Sequence, residues 1–226
     1  MRLLSEIAMA TGLIQIYTGN GKGKTTAALG LALRARAAGK RVAIVFFDKG
    51  GEHYSERALL GTLGVEWFAC GLDRIDPTTD RFRFGVIPED IQQAEQGIAK
   101  AQDLLFRSSS SRGGARGGAE DAHERDLLDL LILDEINTTV TLGMLTEAAV
   151  EHLLDTKPGT TELVLTGRTE VSKALETANL PGKPWPDGNQ HQRWLSYFDR
   201  ADLLTEMHLH KHYFYHGTPA RVGIDY

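Results

Sequence analysis

The chain has 226 residues, 42% of them hydrophobic and 24% charged, and a formal net charge of −5. That length suits one sizeable α/β domain, 1–226, with a buried core, and the acidic balance gives no electrostatic reason to propose nucleic acid or an anionic membrane as partner. A single cysteine, Cys70, excludes an intrachain disulfide and a cysteine-cluster metal site. The first eleven residues hold too few apolar side chains for a signal peptide, and no run approaches a membrane span, so the expected setting is reducing and cytoplasmic.

In chain order, Leu13–Tyr17 reads as a first strand, followed by the glycine loop Gly19-Asn20-Gly21-Lys22-Gly23-Lys24-Thr25-Thr26 and an alanine-rich helix from Thr25 to Ala38. Gly39 ends that helix in the expected way. Arg41–Phe47 is a second strand leading into Asp48-Lys49-Gly50-Gly51, and Val65–Phe68 is a weaker third. A helix opens at Pro88-Glu89-Asp90 and runs toward Phe106, with proline and acids in its first turn. Residues 107–122, rich in serine and glycine, are expected to form a disordered surface loop. Leu127–Leu133 is an apolar strand apart from Asp129, and ends in Asp134-Glu135. Glu162–Leu165 ends in Thr166-Gly167-Arg168, and Leu203–Met207 closes the series. Before it lies an aromatic, proline-rich insertion, 181–198, which reads as a lid or a pocket lining. Strands alternating with helices predict an α/β fold, a mainly parallel β-sheet flanked by helices on both faces, and the glycine loop between the first strand and its helix makes it P-loop NTPase-like.

Four polar clusters follow strand ends, and in open parallel sheets that edge binds ligands. Strand, glycine loop and helix in that order make a phosphate cradle: backbone N–H groups and the helix N-terminus face an anion, Lys24 adds a point charge, and Thr25 stands where a hydroxyl ligates Mg²⁺. The common spacing places the first glycine five residues before Gly23, where this chain has Thr18, so the loop is a tightened variant. A glycine-rich turn that binds nothing does not require this context. Asp134-Glu135 forms a Walker-B-like acid pair that can hold Mg²⁺ opposite Thr25, and either acid can be the ligand. Strand-end acids also cap helices or face solvent. Lys49 and Arg168 add charge suited to a triphosphate, although each alone reads equally well as a solvated surface cation. His208, His210, His212 and His216 crowd the last stretch without a carboxylate or cysteine at a usual structural-zinc spacing.

The glycine loop with Ala27-Ala28-Leu29-Gly30, the strand end Leu131–Glu135 and Thr166-Gly167-Arg168 resemble the P-loop type of ATP:corrinoid adenosyltransferase. The stretch Thr205-Glu206-Met207, Lys211-His212, Gly217 and Gly223-Ile224-Asp225-Tyr226 is similar to that family's C-terminal signature. The resemblance implies an attack by the cobalt of a reduced corrinoid on the 5′ carbon of ATP, with release of triphosphate in adenosylcobalamin biosynthesis or salvage. It implies that Gly19, Asn20, Gly21, Lys22, Gly23, Lys24, Thr25, Thr26, Lys49 and Arg168 bind ATP, with Lys24 and Arg168 catalytic. Thr25, Asp134 and Glu135 are implied to hold Mg²⁺. An electron-donating reductase and a homodimer are implied as partners. The family carries a Phe and a Trp after its third strand, where this chain has Gly71-Leu72-Asp73-Arg74. The insertion's aromatics are expected to take over at the corrinoid, with Trp185, Trp194 and His212 as its binding residues. Two other readings are another P-loop ATPase or kinase, which would release ADP, and a non-catalytic ATP/corrinoid-binding module.

Overall fold

The computed structural model describes residues 11–76, 78, 81–106, 127–169 and 193–225. The most continuously apolar segments become its central strands. β2 (Val42–Phe47) and β6 (Leu130–Asp134) are buried at every position. β7 (Glu162–Thr166) is buried at all but its first. Such runs have no solvent face to keep polar, which fits strands covered on both sides. β1 (Ile14–Thr18) alternates between buried and half-buried positions. β3 (Glu66–Cys70) and β8 (Leu203–Glu206) are the least buried and lie at the two edges. The six-stranded sheet has the order β3-β2-β6-β7-β1-β8, and every pairing in it is parallel. A separate antiparallel pair, β4 (Ile75–Asp76) with β5 (Arg81–Phe82), follows β3.

Helices cover both faces, as the strand–helix alternation predicts. On one face α1 (Lys24–Ala37) and α2 (Glu56–Thr62) bring Ala28, Ala32 and Leu60 onto Val42, Ile44, Phe46 and Ile132. The small side chains of α1 leave little to separate helix from sheet. The other face receives α3 (Pro88–Phe106), α4 (Ile136–Thr141) and α5 (Glu147–Thr156), packed on Val45, Phe47, Leu131, Leu133 and Leu165. At Gly97 a Cβ would come within 2.6 Å of the Phe47 ring, so α3 sits directly on β2.

One expectation changes here. Of the insertion 181–198, residues 181–192, Trp185 among them, lie outside the described residues, as do 107–122. Tyr197 and Phe198 line no lid: they form part of a short 3₁₀ turn (Ser196–Arg200) and enter the main core at 0% and 3% exposure. Phenyl-sized side chains bury the most apolar area per residue, and the space beside α5 takes them.

Candidate active site

Parallel strands share a direction, so the loops after β1, β2, β6 and β7 meet on one sheet edge. After β1 the chain turns through 19–23 into α1. Gly23 has φ +113°, a conformation L side chains rarely adopt, and it serves as the N-cap of α1. Gly19 and Gly21 lie against the backbone that follows β8. A Cβ on either would come within 2.4 and 2.7 Å of the Met207 carbonyl oxygen. Gly21 N–H donates to that oxygen at 2.6 Å. One amide of the shortened loop is thus committed to the fold. Lys24 is buried at 5% exposure, and its ammonium donates to the carbonyls of Gly19 and Gly21, both at 2.7 Å. Positive charge therefore stands inside the loop at the amino end of α1, an arrangement suited to an anion.

Next to it, β2 and β6 deliver a cation and two acids. Lys49 Nζ lies 2.5 Å from Asp134 Oδ2, 3.7 Å from Glu135 Oε1 and 2.9 Å from Thr25 Oγ1. Thr25 Oγ1 itself donates to Asp134 Oδ2 at 3.2 Å. The lysine, which read equally well as a solvated surface cation, is 14% exposed and inside the site. Burial alone would lower its pKa, but the Asp134 and Glu135 carboxylates outweigh that and hold it well above the ordinary lysine value. The other Asp134 oxygen accepts from Thr166 Oγ1 at 2.7 Å, and Thr166 Oγ1 accepts from Glu135 N–H at 3.0 Å. The β6 and β7 strand ends are bolted together at this point.

Glu135 adopts φ +63°, and Asp48 φ +51°. Non-glycine residues persist in that region only where surrounding contacts hold them. Glu135 Oε2 accepts from Thr138 Oγ1 at 2.5 Å, and Arg168 N–H donates to the same Thr138 oxygen at 2.9 Å. Burial pushes the Glu135 carboxyl up, but Lys49, the Thr138 hydroxyl, Lys24 and Arg168 together bring it below the usual glutamate value. Asp48 meets the Arg74 guanidinium at 2.6–2.7 Å. Burial nonetheless keeps its carboxyl above the usual aspartate value.

The structure thus brings together Gly19–Thr26, Lys49, Asp134, Glu135 and the Arg168 loop. It gives Trp194 and His212 other surroundings, and Trp185 lies outside the described residues. Trp194 is 61% exposed, its indole N–H donates to Asp199 at 3.0 Å, and its ring meets the edge of Phe198 at 5.4 Å. His212 Nδ1 accepts from Phe214 N–H at 3.1 Å and caps a 3₁₀ turn (Tyr213–His216). Three contributors have roles that sequence reasoning did not assign. Thr166 and Asp225 stand there only within the stretches that carry the family resemblance. Arg57 donates to the Lys49 and Gly51 carbonyls at 2.5 and 2.7 Å while its guanidinium rests 4.3 Å from the Tyr54 ring. Its signal was Tyr54 three residues earlier, just ahead of α2. Asp225 reaches the loop from 203 residues away, which no local pattern could reveal.

Comparison with known proteins gives a consistent result. The profile of the family described as ATP:corrinoid adenosyltransferase BtuR/CobO/CobP matches residues 10–182. The chain is 30% identical over 215 residues to the corrinoid adenosyltransferase of Escherichia coli strain K12, covering 95% of this chain and 86% of that protein. It is 32% identical over 215 residues to the corrinoid adenosyltransferase CobA of Salmonella typhimurium strain LT2, with the same coverage. It is also 32% identical over 225 residues to an uncharacterized protein of Nostoc sp.. There it covers 94% of this chain but only 48% of the Nostoc protein, about half its length.

Proposed function

Because the chain belongs to the ATP:corrinoid adenosyltransferase family, we propose that this edge of the sheet binds the triphosphate of ATP while the cobalt of a reduced corrinoid takes the adenosyl group. The cobalt's electron pair forms the bond to the 5′ carbon, the carbon–oxygen bond breaks, and triphosphate leaves with the electron pair of the broken bond. The acceptor is its own nucleophile, so the protein's task is to orient the partners and stabilise charge on the leaving group. In this reading the remaining loop amides, Lys24 and Thr26 hold the polyphosphate, and Lys49 and Arg168 offset its growing charge. The observation that carries the reading is the meeting of Lys24, Thr25, Lys49 and Asp134 at the mouth of the tightened loop.

The donor set fits Mg²⁺. Thr25 Oγ1 and Asp134 Oδ2 are hard oxygens 3.2 Å apart, with Glu135 beside them. Mg²⁺ takes few protein ligands and completes its shell with water and phosphate. When bound it would draw charge from the phosphate oxygens. Asp134 Oδ2 faces Thr25 directly, and we assign it as the protein carboxylate ligand; the Lys49 ammonium, 2.5 Å from the same oxygen, would yield that place to the ion, while Glu135 stays held to Thr138. The same reading takes the chain as one domain acting as a homodimer in the cytoplasm, supplied with electrons by a reductase. Among the described residues no helix is long and apolar enough to cross a membrane.

The test mixes the protein with ATP, Mg²⁺ and chemically reduced cobalamin. A light-sensitive cobalt–carbon product formed in step with triphosphate is expected. Release of ADP without that product overturns the proposal.

A further inference from the structure

Lys22 is the outer lysine of the phosphate loop, and its surroundings come from the other end of the chain. Its ammonium donates to Tyr213 Oη at 2.7 Å, to the Ile224 carbonyl at 3.0 Å, and to the carboxylate of Asp225. An ammonium has three donors, so all three are committed to residues 213–225. Asp225 is the centre of this arrangement. Besides Lys22 it accepts from the Tyr213 hydroxyl, from Arg221 N–H at 3.0 Å and from Arg221 Nε at 3.1 Å. The Arg221 guanidinium lies 4.6 Å from the Tyr213 ring. Lys22 and Tyr213, with a lesser part from Arg221, keep the Asp225 carboxyl well below the usual aspartate value against the opposing effect of burial. Two further ties bind the same lip of the loop: Leu209 N–H donates to Asn20 Oδ1 at 2.8 Å, and Gly21 N–H to the Met207 carbonyl.

We propose that Asp225 is a positioning residue for polyphosphate binding: by fixing Lys22 it presets the charge on the outer lip of the phosphate loop. A lysine is a flexible four-carbon chain with a strongly hydrated head, and ordering it on binding carries an entropic cost. Here the ordering is done before any ligand arrives. The Lys22 side chain is still 39% exposed, so its charge acts on a ligand at the lip although its three donors are taken. Ion pairs this close to solvent add little to stability. A cluster built around one loop lysine therefore serves geometry more than folding.

Two effects of losing the carboxylate oppose each other. Neutralising Asp225 adds one net positive charge near the loop, which by itself favours an anion, but it releases Lys22 from its fixed position. Between exposed groups the high dielectric of water keeps Coulomb energies modest even at several ångströms, so the loss of order wins.

The inference rests on the loop holding a polyphosphate and not on the identity of the adenosyl acceptor. The experiment titrates inorganic tripolyphosphate into the folded protein by calorimetry, with thermal melting as the folding control. Asp225→Asn should weaken binding roughly three- to tenfold, and Asp225→Glu should restore most of it. In a Lys22→Met background the Asn substitution should have no further effect. Unchanged or tighter binding by Asp225→Asn overturns the proposal. An equal loss in both backgrounds also overturns it, since Asp225 would then act through something other than Lys22. If the unaltered chain takes up no tripolyphosphate, both this proposal and the phosphate-loop reading fail. If it binds tripolyphosphate but makes no cobalt–carbon product, only the acceptor assignment fails.

Discussion

Replacing Lys49 with Met keeps most of the aliphatic stem and deletes the charge that Asp134 and Glu135 share. Removing one member of a buried ion pair costs roughly 3–5 kcal/mol, because the partner is left uncompensated. Asp134 is 1% exposed and cannot turn to water. It does keep the hydroxyls of Thr166 at 2.7 Å and Thr25 at 3.2 Å, so the lower end applies, about 3 kcal/mol. For a chain of this size each kcal/mol moves Tm by about 2–4 °C, giving a drop of roughly 6–12 °C. The pH dependence follows from the shifts. Lys49 has a raised pKa in the folded chain, so its contribution is complete below the unfolded lysine value of about 10.4 and fades only as pH rises through the folded one. The gap between wild type and Lys49→Met should therefore be flat from neutral pH to about 10 and narrow beyond it. It should also narrow in acid, where the Glu135 carboxyl that needs the ammonium becomes protonated. Thermal and urea unfolding followed by circular dichroism measure both. A Tm within a degree of wild type at pH 7 would refute the idea that this ammonium organises the acid pair.

Glu135 supplies the complementary acid-side prediction. Its folded pKa is depressed, so its stabilisation is present above the unfolded glutamate value of about 4.3 and is lost as pH falls through the folded one. Glu135→Gln should flatten the acid limb of the stability curve, and an unaltered limb below pH 4.5, on the order of the unfolded value, counts against it. Tyr197→Phe removes the hydroxyl that donates to Asn137 Oδ1 at 2.9 Å, both residues being 0% exposed. Stranding that buried acceptor should cost about 1–3 kcal/mol in urea unfolding. Thr25→Ala should weaken Mg²⁺-dependent ATP binding about tenfold or more, on the scale of a hydrogen bond to a charged group. Equal affinity with and without the hydroxyl would remove Thr25 from the metal site.

The central strands and the phosphate loop were legible because their signals are local. Four consecutive apolar residues before Asp134, or a glycine loop between strand and alanine-rich helix, admit few alternatives. The α3 helix was equally clear from Pro88 and its acids. By contrast α4 reads Ile-Asn-Thr-Thr-Val-Thr, a β-branched string with strand propensity. It is helical because Glu135 turns the chain and the turn buries Ile136 and Val140 in the core, while Thr139 and Thr141 satisfy their hydroxyls on carbonyls four residues back. Tyr197 and Phe198 misled for a related reason. Neighbouring prolines suggested a surface element, whereas the space that takes the rings is made by α4, α5 and the sheet. At the site, Lys49 and Asp134 were each visible, but their meeting depends on β2 and β6 being neighbours, with Phe46 opposite Asp134. Strand order is a property of the whole chain, and no window of the sequence contains it.

The edge position of β8 has a thermodynamic consequence. Among the described residues its single neighbour in the sheet is β1, three of its four residues are exposed, and the backbone just after it props the phosphate loop. Peripheral elements open at lower free energy than the core. The stretch from 203 onward can therefore peel away while β2, β6 and β7 stay protected. Amide hydrogen exchange would show this as two separate opening reactions, and nucleotide uptake would vanish with the first. A preparation could then give the circular dichroism of a folded protein and still be unable to bind ATP.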